Sequence, residues 1–284
     1  MENSNTDNNY NFSVLMPVYY KENPDYFKVS LESIVQQTLM PNEIVIVKDG
    51  PLTPELDVVI DKYVATYPQL FKIVALEKNV GQGEARNKGL NSCSNNIVAL
   101  MDSDDIARKD RFELQIKYME QNPDIDVVGS FITEFENIPE VIETIKAVPL
   151  THEAIYNFGK WRSPMNNMTI VYKKDKVLEV GGYNSFNFGE DYLLFAKMLM
   201  NGCKFYNFEE CLVNARAGSR MLAKRVGWNK IKQEFLLFYE FKKIGYINIY
   251  QFIRNVSLKF LLRIIPNWLR RLIYRRFLRK NVNG

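Results

Sequence analysis

Cysteine is scarce in this chain of 284 residues: Cys93, Cys203 and Cys211 are the three, and none belongs to a CxxC pair. That excludes a disulfide framework and a thiolate zinc site, and points to a reducing compartment. Histidine is scarcer still, with His152 alone. Sites that need two imidazoles are therefore excluded, and no GxSxG elbow accompanies His152 to suggest a serine hydrolase. Long apolar runs are missing too. The apolar stretches of the tail are broken every few residues by Arg, so no segment of ~18 apolar residues is available to span a bilayer. Residues 1–11, MENSNTDNNYN, lack a basic n-region followed by an apolar h-region and read as a flexible terminus rather than a secretory leader. Internal repeats and low-complexity runs are also absent. Finally, one stretch has no acid. Residues 241–284 hold eleven Lys or Arg and no Asp or Glu, which leaves 26 basic against 33 acidic residues in the rest. A mildly acidic body with a strongly basic tail suggests a tail that meets an anionic surface, a membrane or nucleic acid.

What is present is ordinary for a globular protein: 46% hydrophobic and 25% charged residues. Short apolar runs at Phe12–Val18, Glu43–Lys48, Phe71–Leu76 and Ile97–Met101 read as strands. Between them, residues 26–37, 54–67 and 82–92 have helical spacing, and 109–121 follow as a further helix. A strand is expected over 126–135, with short strands at 169–172, 204–208 and 211–215 and helices at 191–200 and 229–243. Alternating strands and helices, with nearly all-apolar strands, predict an α/β protein with a mostly parallel sheet covered on both faces. Ligands of such sheets sit beyond the carboxyl ends of the strands. Residues 17–22, Asp49 and Asp102–Asp105 therefore fall along one edge.

The strongest chemical signal is IVALM followed by DSDD. Three carboxylates at the end of a buried strand repel one another unless a cation sits among them, and hard oxygen donors suit Mg²⁺ or Mn²⁺. The bland alternative is a loop whose acids cap the next helix. A second chemical reading is a phosphohydrolase with Asp102 as nucleophile, although such a motif normally follows the first strand. Asn79–Asn87, NVGQGEARN, is no dinucleotide loop, because Arg86 stands at the third glycine position. It reads instead as a tight helix entry with Arg86 and Asn87 aimed into the pocket, Arg86 neutralising phosphate or organising the acids, or else as a helix with a solvated Arg. Glu190-Asp191 before an apolar helix supplies either helix-dipole acids or a general base.

Taken together these residues resemble glycosyltransferase family 2, inverting enzymes of the GT-A fold. The resemblance rests on SVLMPVYY at residues 13–20, Asp49 after the second strand, the NxGxxxARN run, and DSDD. It extends over about residues 12–218. YYKE at 19–22, GGY at 181–183, Glu190-Asp191 and ECLVNAR at 210–216 are similar to bacterial exopolysaccharide and O-antigen transferases of the amylovoran type. The resemblance implies roles. Pro17, Tyr19, Glu22 and Asp49 would hold the nucleoside, with Arg86 and Ser103 beside them. Asp102 would contact ribose or sugar, and Asp104, with Asp102, would bind the Mn²⁺ or Mg²⁺ that bridges the diphosphate. Arg216 and Arg225 would cover that diphosphate, because Arg pairs well with phosphate oxygens. Asp191 would be the catalytic base, and Glu190 and Asn167 would face the acceptor. Two departures stand out. Lys48 occupies a position where the family often has an acid, and the PMNNM segment at 164–168 has Asn where relatives tend to carry His.

The resemblance implies a UDP-sugar donor, with galactose and a β-1,3 linkage as the specific expectation, and an undecaprenyl-diphosphate-linked saccharide acceptor at the inner face of a bacterial membrane. The domain division expected is 12–225 for the transferase, with 12–106 as nucleotide half and 107–225 as acceptor half, then a basic amphipathic helical region at 226–284. Within it, residues 254–280 repeat apolar side chains at helical spacing with Arg and Lys between, which suits an anionic membrane surface. Packing of that helix on the body, or on another copy, is the alternative. Nothing resembles a nucleic-acid module. Rival readings are the Asp102 phosphohydrolase and a non-catalytic membrane-surface assembly factor.

Overall fold

The computed structural model describes residues 11–184, 189–216, 228–264 and 280–281. Three βα units and a fourth strand come first: β1 (Phe12–Val18), α1 (Pro24–Val35), β2 (Glu43–Lys48), α2 (Pro54–Thr66), β3 (Phe71–Ala75), α3 (Gln82–Ser92) and β4 (Ile97–Leu100). Then follow β5 (Ile106–Ala107), α4 (Arg111–Gln121), β6 (Val127–Phe135), β7 (Thr144–Lys146) and α5 (His152–Phe158). A 3₁₀ turn at Asn167–Thr169 leads to β8 (Val171–Lys173), α6 (Lys174–Glu179), α7 (Glu190–Met200) and β9 (Phe205–Arg216). The helices α8 (Trp228–Lys243) and α9 (Ile249–Ile264) and the short β10 (Lys280–Asn281) complete the described chain.

Helix starts follow local chemistry. Asn23 accepts from the backbone N–H of Asp25 and Tyr26, and Thr53 from that of Leu56; each cap is followed at once by Pro. One sheet runs β10-β7-β6-β8-β4-β1-β2-β3, and β9 pairs with both β6 and β5. The β3-β2-β1-β4 half is parallel throughout, whereas β8 is antiparallel to β4 and β6. Parallel strands buried on both faces explain the near-continuous apolar runs. Residues alternate between two cores: Leu15, Val45 and Val47 pack with α3 and α7, while Val14, Met16, Ile44 and Ile46 pack with α1, α2 and α4.

The elements expected from sequence recur with shifts of one or two residues, and the exceptions have physical causes. The stretch read as two short strands at 204–208 and 211–215 is one strand, β9. Ser130 lies opposite Phe208 but Phe131 opposite Cys211, so Glu209 and Glu210 bulge out and break the alternation. Thr169 belongs to the 3₁₀ turn, where its hydroxyl donates to the Asn166 carbonyl and accepts from Ser130 N–H. Of the helical region expected at 226–284, with a break at Pro266, the described helices reach Ile264; residues 265–279 lie outside those described. Lys280–Asn281 is a strand, paired with Ile145 and Thr144 at the free edge of β7. Among the described residues no helix is long and apolar enough to cross a membrane.

Gly89 sets how closely α3 approaches the sheet. A Cβ there would lie 2.3 Å from Leu15 Cδ1 and 2.5 Å from Val47 Cγ2, both in the core. Gly89→Ala should gain about 1 kcal/mol of helix propensity and lose about 1–3 kcal/mol to overpacking. The expected net is a lower urea midpoint, with an unchanged or raised midpoint as the contrary result.

Candidate active site

Three strand ends open onto one cleft. β1 leads into Tyr19–Asn23, β2 into Asp49-Gly50, and β4 into Asp102–Asp105. β1 and β4 are neighbours, while β1 connects away to β2 on its other side, so the cleft stands at the switch point of the parallel half. It has a volume of about 1100 Å³, and Pro17, Tyr19, Glu22, Asp49, Asp102, Ser103, Asp104 and Arg216 line it. Tyr26, Glu136 and Asn137, which the sequence pattern does not single out, line it as well, as does Asn79 at the head of the NxGxxxARN run.

Asp49 is buried and held by the loop before α3. Its carboxylate accepts from Asn79 Nδ2 at 2.9 Å, Val80 N–H at 2.7 Å and Gly81 N–H at 3.2 Å. Gly50, at φ +84°, lets that loop close: a Cβ on it would sit 2.6 Å from Asn79 N. Asp49 thus joins two loops at the floor of the cleft. Asn79 opens the NxGxxxARN run, but the motif does not name Asp49 as its partner.

Arg86 neither lines the cleft nor meets solvent. It is 2% exposed and bridges two acids, with Nη2 3.0 Å from Asp102 Oδ1 and Nη1 3.3 Å from Glu190 Oε1. Burial works against its charge. Asp102, Tyr183, Glu190 and Asp191 outweigh that and hold its pKa above the ordinary value. Of the sequence readings, the one in which Arg86 organises the acids is what the geometry shows. Asn87, expected to point into the pocket, instead clasps Tyr183: it donates to the Tyr183 carbonyl and accepts from its N–H, each at 2.8 Å. A helix side chain that satisfies both backbone groups of a neighbouring loop is not free to meet a ligand.

Glu190 and Asp191 begin α7 but stand differently. Glu190 is buried, and burial followed by the Asp191 charge raises its pKa despite Arg86. Asp191 is half-buried, its Oδ1 accepts from Tyr192 N–H at 2.8 Å, and no cation among the described residues lies within ion-pair distance of it. The chain Asp102–Arg86–Glu190 therefore sets the first turn of α7 directly behind the DSDD loop. Asn167 lies in the 3₁₀ turn, not in the cleft, and its Oδ1 is buried without a partner among the described residues.

The DSDD loop is tied on every side. Ser103 Oγ donates to Glu22 Oε2, and Ser30 Oγ donates to the Asp102 carbonyl at 3.0 Å. Asp105, 3% exposed, accepts from Arg216 N–H at 2.8 Å. Beneath lies Arg111, fully buried, donating to the Leu100 carbonyl at 2.7 Å and to Gln115 Oε1 at 3.0 Å. Burial pulls its pKa down to about 9, against the opposing pull of Asp105 and Asp102. The one hint in the sequence is phase: Arg111 and Gln115 share the apolar side of α4 with Phe112, Ile116 and Met119.

Asp104 lines the cleft beside Asp102 and Glu22. Burial, then the charges of Asp102 and Glu22, push its carboxyl up to about 7. Opposite stands Arg216, whose guanidinium lies 3.6 Å from the Tyr26 ring centroid and 4.6 Å from that of Phe135. Its buried Nη1 has no hydrogen-bond partner among the described residues. A crowded carboxylate calls for a cation, and an orphaned guanidinium donor calls for an anion. Among the described residues no group of three or more His, Cys, Asp or Glu side chains forms a metal cage. A hard divalent ion would suit Asp102 and Asp104 only if it took its remaining oxygens from water and a phosphate ligand, which is the usual habit of Mg²⁺. Arg225 lies outside the described residues.

The family described as glycosyl transferase family 2 matches residues 13–182. Amylovoran biosynthesis glycosyltransferase AmsE of Erwinia amylovora is 40% identical over 251 residues, covering 87% of this chain and 93% of that protein. The UDP-Gal:alpha-D-GlcNAc-diphosphoundecaprenol beta-1,3-galactosyltransferase of Escherichia coli is 37% identical over 275 residues, 97% of this chain and 99% of that one. Among solved structures, S. aureus TarS 1–349 in complex with UDP-GlcNAc superposes with a TM-score of 0.65 at 20% identity, covering 89% of this chain and 72% of that chain. The mannosyltransferase PcManGT of Pyrobaculum calidifontis, in complex with GDP-Man and Mn²⁺, gives 0.62 at 18%, covering 89% and 70%. At such identities the likeness establishes the fold, the GT-A arrangement.

Proposed function

The chain belongs to glycosyltransferase family 2 and is a glycosyltransferase, and from that premise we propose that it moves galactose from UDP-galactose, in β-1,3 linkage, onto an undecaprenyl-diphosphate-linked saccharide. The product would enter exopolysaccharide or O-antigen assembly at the inner face of a bacterial membrane. The observation that carries the reading is the cleft, where Asp102 and Asp104 face Arg216 with its orphaned Nη1. Carboxylates for a cation and a guanidinium for phosphate meet there as a nucleoside diphosphate requires. The naming of the E. coli relative, matched over 97% of this chain, supports the sugar and the acceptor. Residues 12–225 are assigned to transfer, 12–106 to the nucleotide and 107–225 to the acceptor.

In this mechanism Pro17, Tyr19, Glu22 and Asp49 hold the nucleoside, and Asp102 meets the ribose or the sugar. Asp104 and Asp102 would hold Mn²⁺ or Mg²⁺, which when bound supplies positive charge against the leaving diphosphate. Arg216 donates to the same oxygens, and its sandwich between Tyr26 and Phe135 fixes the plane of those donors before the nucleotide arrives. Asp191 accepts the proton of the acceptor hydroxyl as the oxygen attacks the anomeric carbon from the opposite face. One displacement inverts the configuration, so no second nucleophilic carboxylate is needed. Arg86 keeps Glu190 and Asp102 in place. The phosphohydrolase reading finds no support in the family to which the chain belongs.

The test is calorimetric binding of a panel of nucleotide sugars with and without Mn²⁺. UDP-galactose should bind best and only with the metal; a guanosine or adenosine donor binding best would overturn the reading. Asp104→Ala should weaken metal-dependent UDP binding roughly a hundredfold, because contacts to charged groups are worth on the order of 1.5–3 kcal/mol each. Equal affinity with and without chelator in the unaltered protein would remove Asp104 and Asp102 from metal binding.

A further inference from the structure

The helices α8 and α9 are fastened to the body by one side only. Leu237, Phe238 and Phe241 of α8 are buried, and Phe241 stands edge-on to Tyr192 of α7 at 4.7 Å. On α9, Asn255 is buried and donates to the Lys160 carbonyl at 2.7 Å. The outer side is apolar and exposed: Leu236 and Tyr239 on α8, and Ile249, Tyr250, Ile253 and Leu261 on α9. Tyr250 is 80% exposed and Ile253 56%. The positions 249, 250, 253 and 261 recur at helical spacing on one arc of α9. An apolar groove of about 460 Å³, lined by Phe235, Val256 and Phe260 among others, runs between the two helices. Patches of this kind on a soluble surface mark an interaction site.

Charge selects the occupant. Lys232, Lys242, Lys243 and Arg254 are exposed on the same two helices; of the two acids there, Glu234 is buried and Glu240 lies 3.8 Å from Lys243. A second copy of the chain would bring one basic rim against another. An anionic bilayer attracts every member of the rim, and Tyr beside exposed aliphatic residues suits the headgroup boundary.

We propose that the outer face of α8 and α9 docks on an anionic phospholipid bilayer, so that these helices, and not the basic tail beyond them alone, seat the enzyme. The seat adjoins the site. α8 packs on α7, whose first turn carries Glu190 and Asp191, so docking holds the proposed base at a set height above the lipid plane. The inference rests on the transferase reading only for that consequence.

The experiment is co-sedimentation of the full chain with phosphatidylcholine vesicles, with and without phosphatidylglycerol. Tyr250→Ser, Ile253→Ser and Leu261→Ser combined should weaken binding to the anionic vesicles at least tenfold, since each side chain removes apolar surface from the contact. All three are exposed, so UDP affinity should stay as in the unaltered chain. Lys242→Gln, Lys243→Gln and Arg254→Gln combined should weaken binding to the anionic vesicles alone. Unchanged sedimentation of the serine variant would overturn the proposal. So would a dimer that the serine variant dissolves while vesicle binding persists, because the face would then be filled by a second copy. The assay contains neither donor nor acceptor. Its failure leaves the transferase reading standing, and a failed donor screen leaves the vesicle result standing.

Discussion

Arg86→Met should destabilise the protein by about 3–5 kcal/mol, the usual consequence of removing one partner from a buried ion pair. Arg86 is 2% exposed and compensates both Asp102 and Glu190. Methionine fills much of the volume but leaves those acids without their cation. The loss should depend on pH, and Glu190 gives the sign. Its folded pKa is already raised, by burial and then by Asp191, and without Arg86 it rises further. An acid with a raised folded pKa costs nothing below its unfolded value near ~4.3, where both states are protonated. The cost grows as pH climbs from there toward the folded pKa. Urea unfolding of Arg86→Met should therefore show a larger deficit at neutral pH than in mild acid. A deficit that is the same at both, or absent, would mean that Arg86 is not the cation on which Glu190 depends. Glu190→Gln in the same background should recover part of the stability.

How much of this was legible in the residues depends on which interactions are local. The βα alternation is local: Asn23-Pro24 and Thr53-Pro54 announce helix starts, and the buried strands declare themselves as apolar runs. The edge carrying Asp49 and Asp102–Asp105 follows from strand order alone. What the pattern cannot show is which acid meets which base. Arg86 lies 104 residues from Glu190, and nothing near either position names the other. Arg111 hides for a different reason, since a guanidinium on the apolar side of a helix looks like an interruption until the Leu100 carbonyl is found to receive it. Tyr26 was invisible because its role exists only once loops meet, and the NxGxxxARN run marks Asn79 without naming Asp49 as its partner. The bulge in β9 split one strand into two apparent ones. Residues 226–284 declare an amphipathic region, but which side of α8 and α9 stays exposed is set by their packing on the body, which is not a local property.

Asp191→Asn should lower turnover by about 10²–10⁴-fold, the range lost with a general base, while UDP still binds. The choice between the two acids that open α7 rests on access and occupation. Glu190 is buried and bound to Arg86, so a proton placed on it would disturb the pair that holds Asp102. Asp191 is half-buried and retains an oxygen free of the Tyr192 N–H bond. Asparagine keeps a carbonyl oxygen for that N–H, so the helix start survives. The change forfeits the carboxylate's interaction with the helix dipole, about 0.3–1 kcal/mol, together with its pull on Arg86, and it relieves the repulsion on Glu190. A fall in acceptor turnover with unaltered UDP affinity then isolates proton transfer from binding. If the effect is on the chemical step, kcat falls while KM for the donor stays in place, because the carboxylate acts when the acceptor oxygen attacks. Turnover near that of the unaltered enzyme would remove Asp191 from the mechanism. A matching fall in Glu190→Gln, with UDP affinity intact, would transfer the role to its neighbour and make Arg86 a regulator of that base rather than a brace for the loop.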